Sequence, residues 1–162
     1  VTQPAYDTVQ IAYTSKPYRL AYFSRHQWAE TPSQMLQPLL VRSLENTHYF
    51  SAVLVPPYAG HYDYALQTGI SQLIQDSASD PAVVRLSLRV QLSDCMGRRL
   101  VAIKDVTERE PLRQNIEDAG AVASNDAAAG ALREIARFVL DGAQRATGRG
   151  PCPEASFSGS HP

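Results

Sequence analysis

The most regular alternation of apolar and polar residues in this sequence lies between Val84 and Ser93. Valine and leucine alternate there with arginine, serine and glutamine without a break. A period of two residues is typical of a β-strand with one face in a core and the other toward water or a partner. Residues 94–97 follow, and Gly97 favours a tight turn because glycine readily adopts positive φ. Residues 100–106 are therefore predicted to form the antiparallel mate of this strand.

A helix is predicted after Thr31, where the sequence Thr-Pro-Ser-Gln has the pattern of a capping box. The threonine can cap the first turn, Gln34 can bond back to it, and a proline in the first helical position loses no hydrogen bond. Pro38 interrupts the helix, so we expect a kink or an irregular first turn. Aliphatic residues recur at spacings of one, three and four, which predicts a buried stripe. The stripe consists of Met35, Leu36, Leu39, Leu40 and Leu44.

Shorter apolar runs predict the remaining elements. Two strands are expected at residues 9–13 and 18–23, a third at residues 50–55, and a long one through Tyr62, Tyr64, Leu66 and Ile70. A second helix is predicted to begin between Gly120 and Asp126 and to end near Gln144. Its expected buried stripe consists of Leu132, Ile135, Ala136, Val139, Leu140 and Ala143.

Two helices separated by groups of strands, with a hairpin in the middle, predict an α+β two-layer sandwich. The sheet is expected to be mixed and largely antiparallel, with the two main helices packed on one face. Residues 1–146 form a single domain in this interpretation. Residues 147–162 are rich in Gly, Pro and Ser and are predicted to be a disordered C-terminal tail. The other face of the sheet carries Arg85, Arg89 and Gln91, so it is either solvated or an oligomer surface.

The composition is that of one globular domain: 162 residues, of which 44% are hydrophobic and 19% charged, with a net charge of −1. The basic residues are scattered, whereas nucleic-acid binding needs a basic face. No G-x-x-x-x-G-K-[ST] loop occurs, so the chain cannot be the ATPase of a transporter. The positions of Cys95 and Cys152 support neither a disulfide scaffold nor a metal site. No cofactor is expected.

The sequence offers few groups for catalysis. His61 and Asp63 are two residues apart and could act as a base with its carboxylate, or as two metal ligands, but they have no third partner nearby in sequence. Cys95 lies in the predicted turn and lacks the neighbouring histidine that an activated thiol needs. The chain is therefore predicted not to be an enzyme. A hydrolase that uses His61 and Asp63 is the alternative of that class.

Aromatic residues point to a contact surface. Trp28 precedes the capping box, and three tyrosines crowd the junction between a loop and the long strand. Aromatic side chains with a polar tip suit interfaces that are dry on one side and wet on the other. Trp28 is more simply explained by packing beneath the helix, while the tyrosines fit a core or a surface role equally well. The candidate partner or ligand contacts are Trp28, Tyr58, Tyr62, Tyr64, Arg85 and Arg89.

One long run, YFSRHQWAETPSQMLQPLLVRSLENTHYFSAVLVPPY, carries a resemblance to a known family. Its pattern is aromatic-x-x-x-x-Trp-Ala-x-x-Pro-x-x-Met-Leu, matched here by Phe23, Trp28, Ala29, Pro32, Met35 and Leu36. The segments YDYALQTGISQL, VVRLSLRVQL and EIARFVL extend the likeness. The sequence resembles the ABC-type transport auxiliary lipoproteins, small periplasmic lipoproteins that accompany MCE-type lipid transport systems. It departs from them in opening with Val1, without the lipidated cysteine, and resembles them only loosely at residues 107–121.

The resemblance implies a non-enzymatic periplasmic component of an ABC/MCE-type lipid transport system. Such a protein would be tethered to the outer membrane by an N-terminal lipid that lies outside this sequence. It would dock an MCE-domain protein together with the ABC permease and ATPase complex, and could form a homo-oligomer. The alternative is a stand-alone periplasmic carrier that holds a lipid between helices and sheet. A carrier needs an apolar cavity of several hundred Å³, whereas the apolar stripes look just sufficient to fill a core.

Overall fold

The structure is a computed structural model that describes residues 10–14, 21–27, 32–113 and 119–154, with side chains from residue 32 onward. Along the chain the elements are β1 (Gln10–Thr14), β2 (Ala21–Gln27), α1 (Pro32–Glu45), β3 (Ala65–Asp76), β4 (Val83–Asp94), β5 (Arg99–Pro111) and α2 (Ala119–Thr147). The strands form one five-stranded sheet in the order β2-β1-β3-β4-β5. β1 runs parallel to β3, and the other neighbouring pairs are antiparallel. The predicted α+β sandwich with a mixed, largely antiparallel sheet is confirmed.

The centre of the sheet is β4, which pairs with β3 on one side and with β5 on the other. Five of its apolar residues face the helices and none of these is more than 5% exposed, whereas Val83 at the start of the strand is half-buried. The alternation in the sequence is therefore confirmed as one buried face of a central strand. The residues of that face are Val84, Leu86, Leu88, Val90 and Leu92.

A tight turn joins β4 to β5, as predicted. The amide of Arg98 donates to the carbonyl of Cys95 at 3.3 Å, which closes a four-residue turn. Met96 and Gly97 occupy its two central positions, with φ of 58° and 79°. Cys95 has a positive φ of 54° as well, so three successive residues of this turn adopt the left-handed region that glycine enters most readily.

Helix α2 lies across β4 and β5 and supplies much of the core. Ala127, Ile135 and Ala143 are at most 1% exposed. The helix also approaches the sheet closely, because a Cβ on Gly142 would lie 2.5 Å from Cδ2 of Leu92. Burying an aliphatic side chain contributes about 1.5–3 kcal/mol, so this contact layer stabilises the whole domain.

Helix α1 buries less than predicted. Leu44 is 7% exposed, and Leu36 and Leu40 pack against the core, but Leu39 remains 44% exposed. Residues four apart lie almost above one another on a helix, so these three leucines form a narrow seam that excludes Leu39. Pro38 lies inside this helix.

The strand predicted at residues 50–55 was wrong. Residues 48–64 have no helix or strand; Phe50 and Val53 pack against the core, whereas Leu54 and Val55 are 52% and 43% exposed. The long strand begins only at Ala65. An apolar run needs a neighbouring strand to become part of a sheet, and the two prolines that follow this one cannot donate to a ladder.

Strand β5 continues beyond the predicted end, because residues 107–111 keep their pairing with β4.

A second difference is the disulfide between Cys95 and Cys152, whose Cα atoms are 5.5 Å apart. The statement that the cysteines support no disulfide was wrong, since 57 residues of separation in sequence conceal their proximity. The bond joins the β4–β5 turn to the segment after α2. A separate tail at residues 147–162 stays a prediction, and residues 155–162 lie outside the described part of the chain.

Candidate functional site

The loop between α1 and β3 meets the β4–β5 turn and the C-terminal half of α2 at one end of the sandwich. The hydroxyl of Tyr62 donates to the carbonyl of Met96 at 3.1 Å. The hydroxyl of Tyr64 donates to the carbonyl of Ala143 at 3.3 Å. Two of the three predicted tyrosines therefore fasten the loop to its neighbours, and their hydroxyls already have acceptors.

Tyr64 belongs to a small aromatic cluster beneath this loop. Its ring meets that of Phe50 edge to face, with centroids 6.0 Å apart, and Phe50 meets Tyr49 in the same way at 5.0 Å. Partial burial raises the pKa of Tyr64 above its usual value, and nearby Tyr49, Asp63 and Asp94 raise it further. The hydroxyl therefore keeps its proton across the physiological range and remains a donor to α2.

Tyr58 is the predicted tyrosine that faces water, with 48% of its surface exposed. Its ring lies over Gly60, where any side chain would collide with the Tyr58 hydroxyl. Residues 49–58 are called the apolar loop below. Besides Tyr58, the loop exposes Tyr49, Leu54 and Val55, each by 42–52%. No Asp, Glu, Lys or Arg occurs anywhere between Glu45 and Asp63.

The predicted arginines lie elsewhere, on the face of the sheet opposite the helices. Arg85 donates to Asp76 at 2.6 Å, and Arg89 donates to Asp105 at 3.0 Å. Arg89 and Asp105 are exposed by 69% and 65%, so solvent screens this pair. Burial alone would raise the pKa of Asp76, but donors from Ser79, its own turn and Arg85 hold that pKa below its usual value. The arginines and the tyrosines therefore form no common site.

His61 and Asp63 do approach each other, with 3.2 Å between Nε2 and Oδ1. Their side chains are 75% and 81% exposed, so water surrounds both of them. Catalytic acid–base pairs usually lie in a cleft that shields them from water. Within the described residues, no three His, Cys, Asp or Glu side chains lie together as metal ligands would. The hydrolase alternative gains no support from this geometry.

A cavity of about 260 Å³ lies between α1, α2 and the strands β3 and β4. Its walls are mostly aliphatic, from Leu36 and Leu40 on one helix, Leu132 and Ile135 on the other, and Ile70 in the sheet. A cavity of about 150 Å³ holds a benzene molecule, while sites for larger ligands usually have about 300–1,000 Å³. This space is large enough for a ring or a short alkyl chain, and too small for a diacyl lipid.

Trp28 and the predicted N-cap Thr31 lie outside the described residues, so both predictions stay predictions. Among the helices that the structure describes, none has the length and apolar character needed to cross a bilayer. The exposure of Leu54 and Val55 was not predicted from the sequence. The signal that could have revealed it is the pair Pro56-Pro57, which follows Val55 inside the charge-free stretch of residues 46–62.

Comparisons with known proteins agree with this fold. The XCC0632 protein of Xanthomonas campestris, a DUF330 protein of known crystal structure, superposes with a TM-score of 0.79 at 22% identity over 90% of this chain and 82% of that one. The crystal structure of an uncharacterised protein superposes with a TM-score of 0.69 at 15% identity, covering 87% and 86% of the two chains. No curated protein matches the sequence. The family model of the ABC-type transport auxiliary lipoprotein component matches residues 1–136, and the chain belongs to that family.

Proposed function

We propose that this protein is a non-enzymatic periplasmic component of an ABC-type lipid transport system and docks an MCE-domain partner together with the permease and ATPase complex. The observation that carries the proposal is the family match over residues 1–136, whose description is that of an auxiliary lipoprotein component of ABC-type transport. The sequence holds no phosphate-binding loop, so ATP is hydrolysed by another subunit. The protein contributes a shaped surface to the assembly.

The disulfide supports the periplasm as the compartment. Structural disulfides persist in oxidising environments such as the bacterial periplasm, and are rare where glutathione and thioredoxin keep thiols reduced. Cys95 is only 5% exposed, and its bond to Cys152 ties together two segments of the domain. In the proposal, a lipid upstream of the domain attaches it to the outer membrane.

Docking requires a surface that keeps its shape, and two features supply one. The loop between α1 and β3 is fastened by the hydroxyls of Tyr62 and Tyr64, and the two helices hold the sheet from one side. Of the predicted contact residues, Tyr58 and Arg89 are exposed enough to meet a partner. Association of several copies belongs to the same proposal.

The test is capture of the complex from membranes that contain the lipidated protein. We expect mass spectrometry to identify an MCE-domain protein after mild cross-linking. Arg89→Glu would weaken capture if the exposed sheet face docks, and Arg113→Glu, at another exposed position, serves as the matched control. Recovery of the bait without any MCE-domain protein would refute the proposal.

The stand-alone lipid carrier remains the alternative. Its support is the cavity between the two helices, but about 260 Å³ is small for such a ligand. Native mass spectrometry of the protein purified from membranes would reveal a bound lipid if the carrier function were correct.

A further inference from the structure

The apolar loop presents hydrophobic side chains to water from a fixed base. Phe50 and Val53 anchor it in the core, while Leu54, Val55 and Tyr58 are 52%, 43% and 48% exposed. We propose that these three exposed side chains enter the headgroup region of a lipid bilayer, as a second membrane contact beside the lipid tether. This inference rests on the proposed function only in assuming that the chain is held at a membrane.

The size of the exposed surface favours a bilayer over a protein. Even at the 150–250 Å² of an aromatic side chain, three side chains that are half exposed present less than about 400 Å², and leucine and valine are smaller. A stable protein interface buries about 800 Å² on each partner. The loop alone is too small for such an interface, whereas a shallow contact with lipid needs only a few apolar side chains.

The chemistry of the loop also suits the boundary between headgroups and acyl chains. It carries no charge that would have to be desolvated. Pro56 and Pro57 lack an N–H, so the exposed backbone has fewer donors that would lose their water. Tyr58 combines an apolar ring with a polar hydroxyl, which is the combination enriched at membrane surfaces.

The topology places the loop at the end of the sheet toward which the first residue of β1 points. β1 runs parallel to β3, with Tyr13 opposite Gln75, so Gln10 is the residue of β1 nearest to the end where β3 begins. The apolar loop is separated by six residues from β3, which begins at Ala65, and Tyr62, between the two, is bonded to the β4–β5 turn at the same end of the sheet. At least nine residues precede Gln10, and an extended segment of that length spans up to about 30 Å.

That reach exceeds the distance from the start of β1 to the level at which β3 begins. Gln10 lies three residues before Tyr13, which pairs with Gln75, so about seven residues of β3 separate the start of β1 from Ala65. Seven strand residues measure about 23 Å. A lipid attached upstream can therefore hold the loop against the same bilayer.

The other candidate for a membrane-binding surface is a charged cleft between β5 and α2. Its side chains give it little attraction for anionic lipids. Its basic side chains are nearly balanced by acidic ones, and Lys104 is paired with Glu134 at 2.8 Å. The basic members are Lys104, Arg133, Arg137 and Arg145, and the acidic ones are Glu108, Glu134 and Asp141. Binding through the apolar loop should therefore depend little on salt or on the charge of the lipid.

The experiment is flotation of the disulfide-bonded chain, without its lipid, with vesicles of phosphatidylethanolamine and phosphatidylglycerol. The test variant replaces Leu54, Val55 and Tyr58 with serine. We expect its partition onto vesicles to fall at least about tenfold, because the apolar carbons that enter the bilayer are lost. The control variant replaces Leu100 and Ile103 with serine; both are 49% exposed on β5, and their loss should leave partition unchanged. Thermal unfolding of each variant checks that it is folded.

Several outcomes would overturn the inference: no binding by the wild-type chain, equal binding by the test variant, or equal weakening in the control. Binding that disappears at high salt would indicate electrostatic attachment and would overturn it too. If the test variant of the lipidated protein lost its MCE-domain partner while vesicle binding stayed intact, the loop would be a protein contact instead. Wild-type protein that captures the partner but never binds vesicles would refute this inference and leave the proposed function standing.

Discussion

Removing the disulfide should destabilise the domain substantially. The cleanest change is Cys152→Ser, because Cys152 is exposed whereas Cys95 is 5% exposed and contributes to the core. Cys95 then remains as a buried thiol, which behaves as a small hydrophobic side chain. The main consequence is that the unfolded chain loses a covalent restraint.

The magnitude follows from the length of the loop that the bond closes. With a sequence separation of 57 residues, the chain-entropy relation gives about 4 kcal/mol at 25 °C. Measured effects of disulfides are commonly about 2–4 kcal/mol, because unfolded chains keep some structure. We therefore expect Cys152→Ser to lower the free energy of unfolding by about 2–4 kcal/mol, a large part of the stability of a domain of this size.

Urea denaturation followed by circular dichroism measures this loss. Wild-type protein in reductant should unfold at the same urea concentration as Cys152→Ser, and the variant itself should not respond to reductant. The dependence of the unfolding free energy on urea should become steeper, because the unlinked unfolded chain exposes more surface. A loss below about 1 kcal/mol, or wild-type stability that is indifferent to reductant, would refute the reasoning.

Two further predictions concern packing and acid stability. Gly142→Ala should destabilise the domain by about 1–3 kcal/mol, because the new Cβ would lie 2.5 Å from buried Leu92. Gly130→Ala should be neutral or stabilise the domain by up to about 1 kcal/mol, because only the movable Glu108 carboxylate lies close to that position. Urea denaturation of both variants checks this, and equal effects would contradict it. Hydrogen bonds from a neighbouring arginine lower the pKa of Asp94, so its stabilising contribution is present above about pH 4, the unfolded value, and is lost as the pH falls through the folded value. Asp94→Asn should therefore flatten the acid side of the stability–pH curve, and an unchanged slope would show that other groups govern it.

Periodic segments of the sequence determined their own structure. The strict alternation along β4 allowed a single assignment of its two faces, because shifting that strand by one residue would bury Arg89 and expose Leu88. The stripe of α2 was largely correct: Ile135 and Val139 are buried as predicted, whereas Ala136 and Leu140 are only half-buried. Both elements carry their information locally, so the sequence was sufficient.

Other features depended on contacts that are distant along the chain. Residues 50–55 are apolar enough for a strand, but strand formation requires an open neighbour, and the sheet is completed by other segments. The pairing of Cys95 with Cys152 depends on where α2 ends relative to the hairpin turn. The convergence of Tyr62 and Tyr64 on that end of the fold, away from Arg85, likewise follows from the topology and could not be deduced from spacing.

The close seating of α2 at Gly142 limits how this protein can respond to a partner. At Gly142 the backbone of α2 lies against the Leu92 side chain, with no side chain of the helix between them. Sliding the helix along the sheet would therefore bring heavy atoms too close together. In the proposed function, a pull on the lipid tether or a push from a docked subunit would then move α2 and the sheet together. The domain would transmit position and orientation between a membrane and an assembly, and changes of shape would occur in the segments that connect it to them.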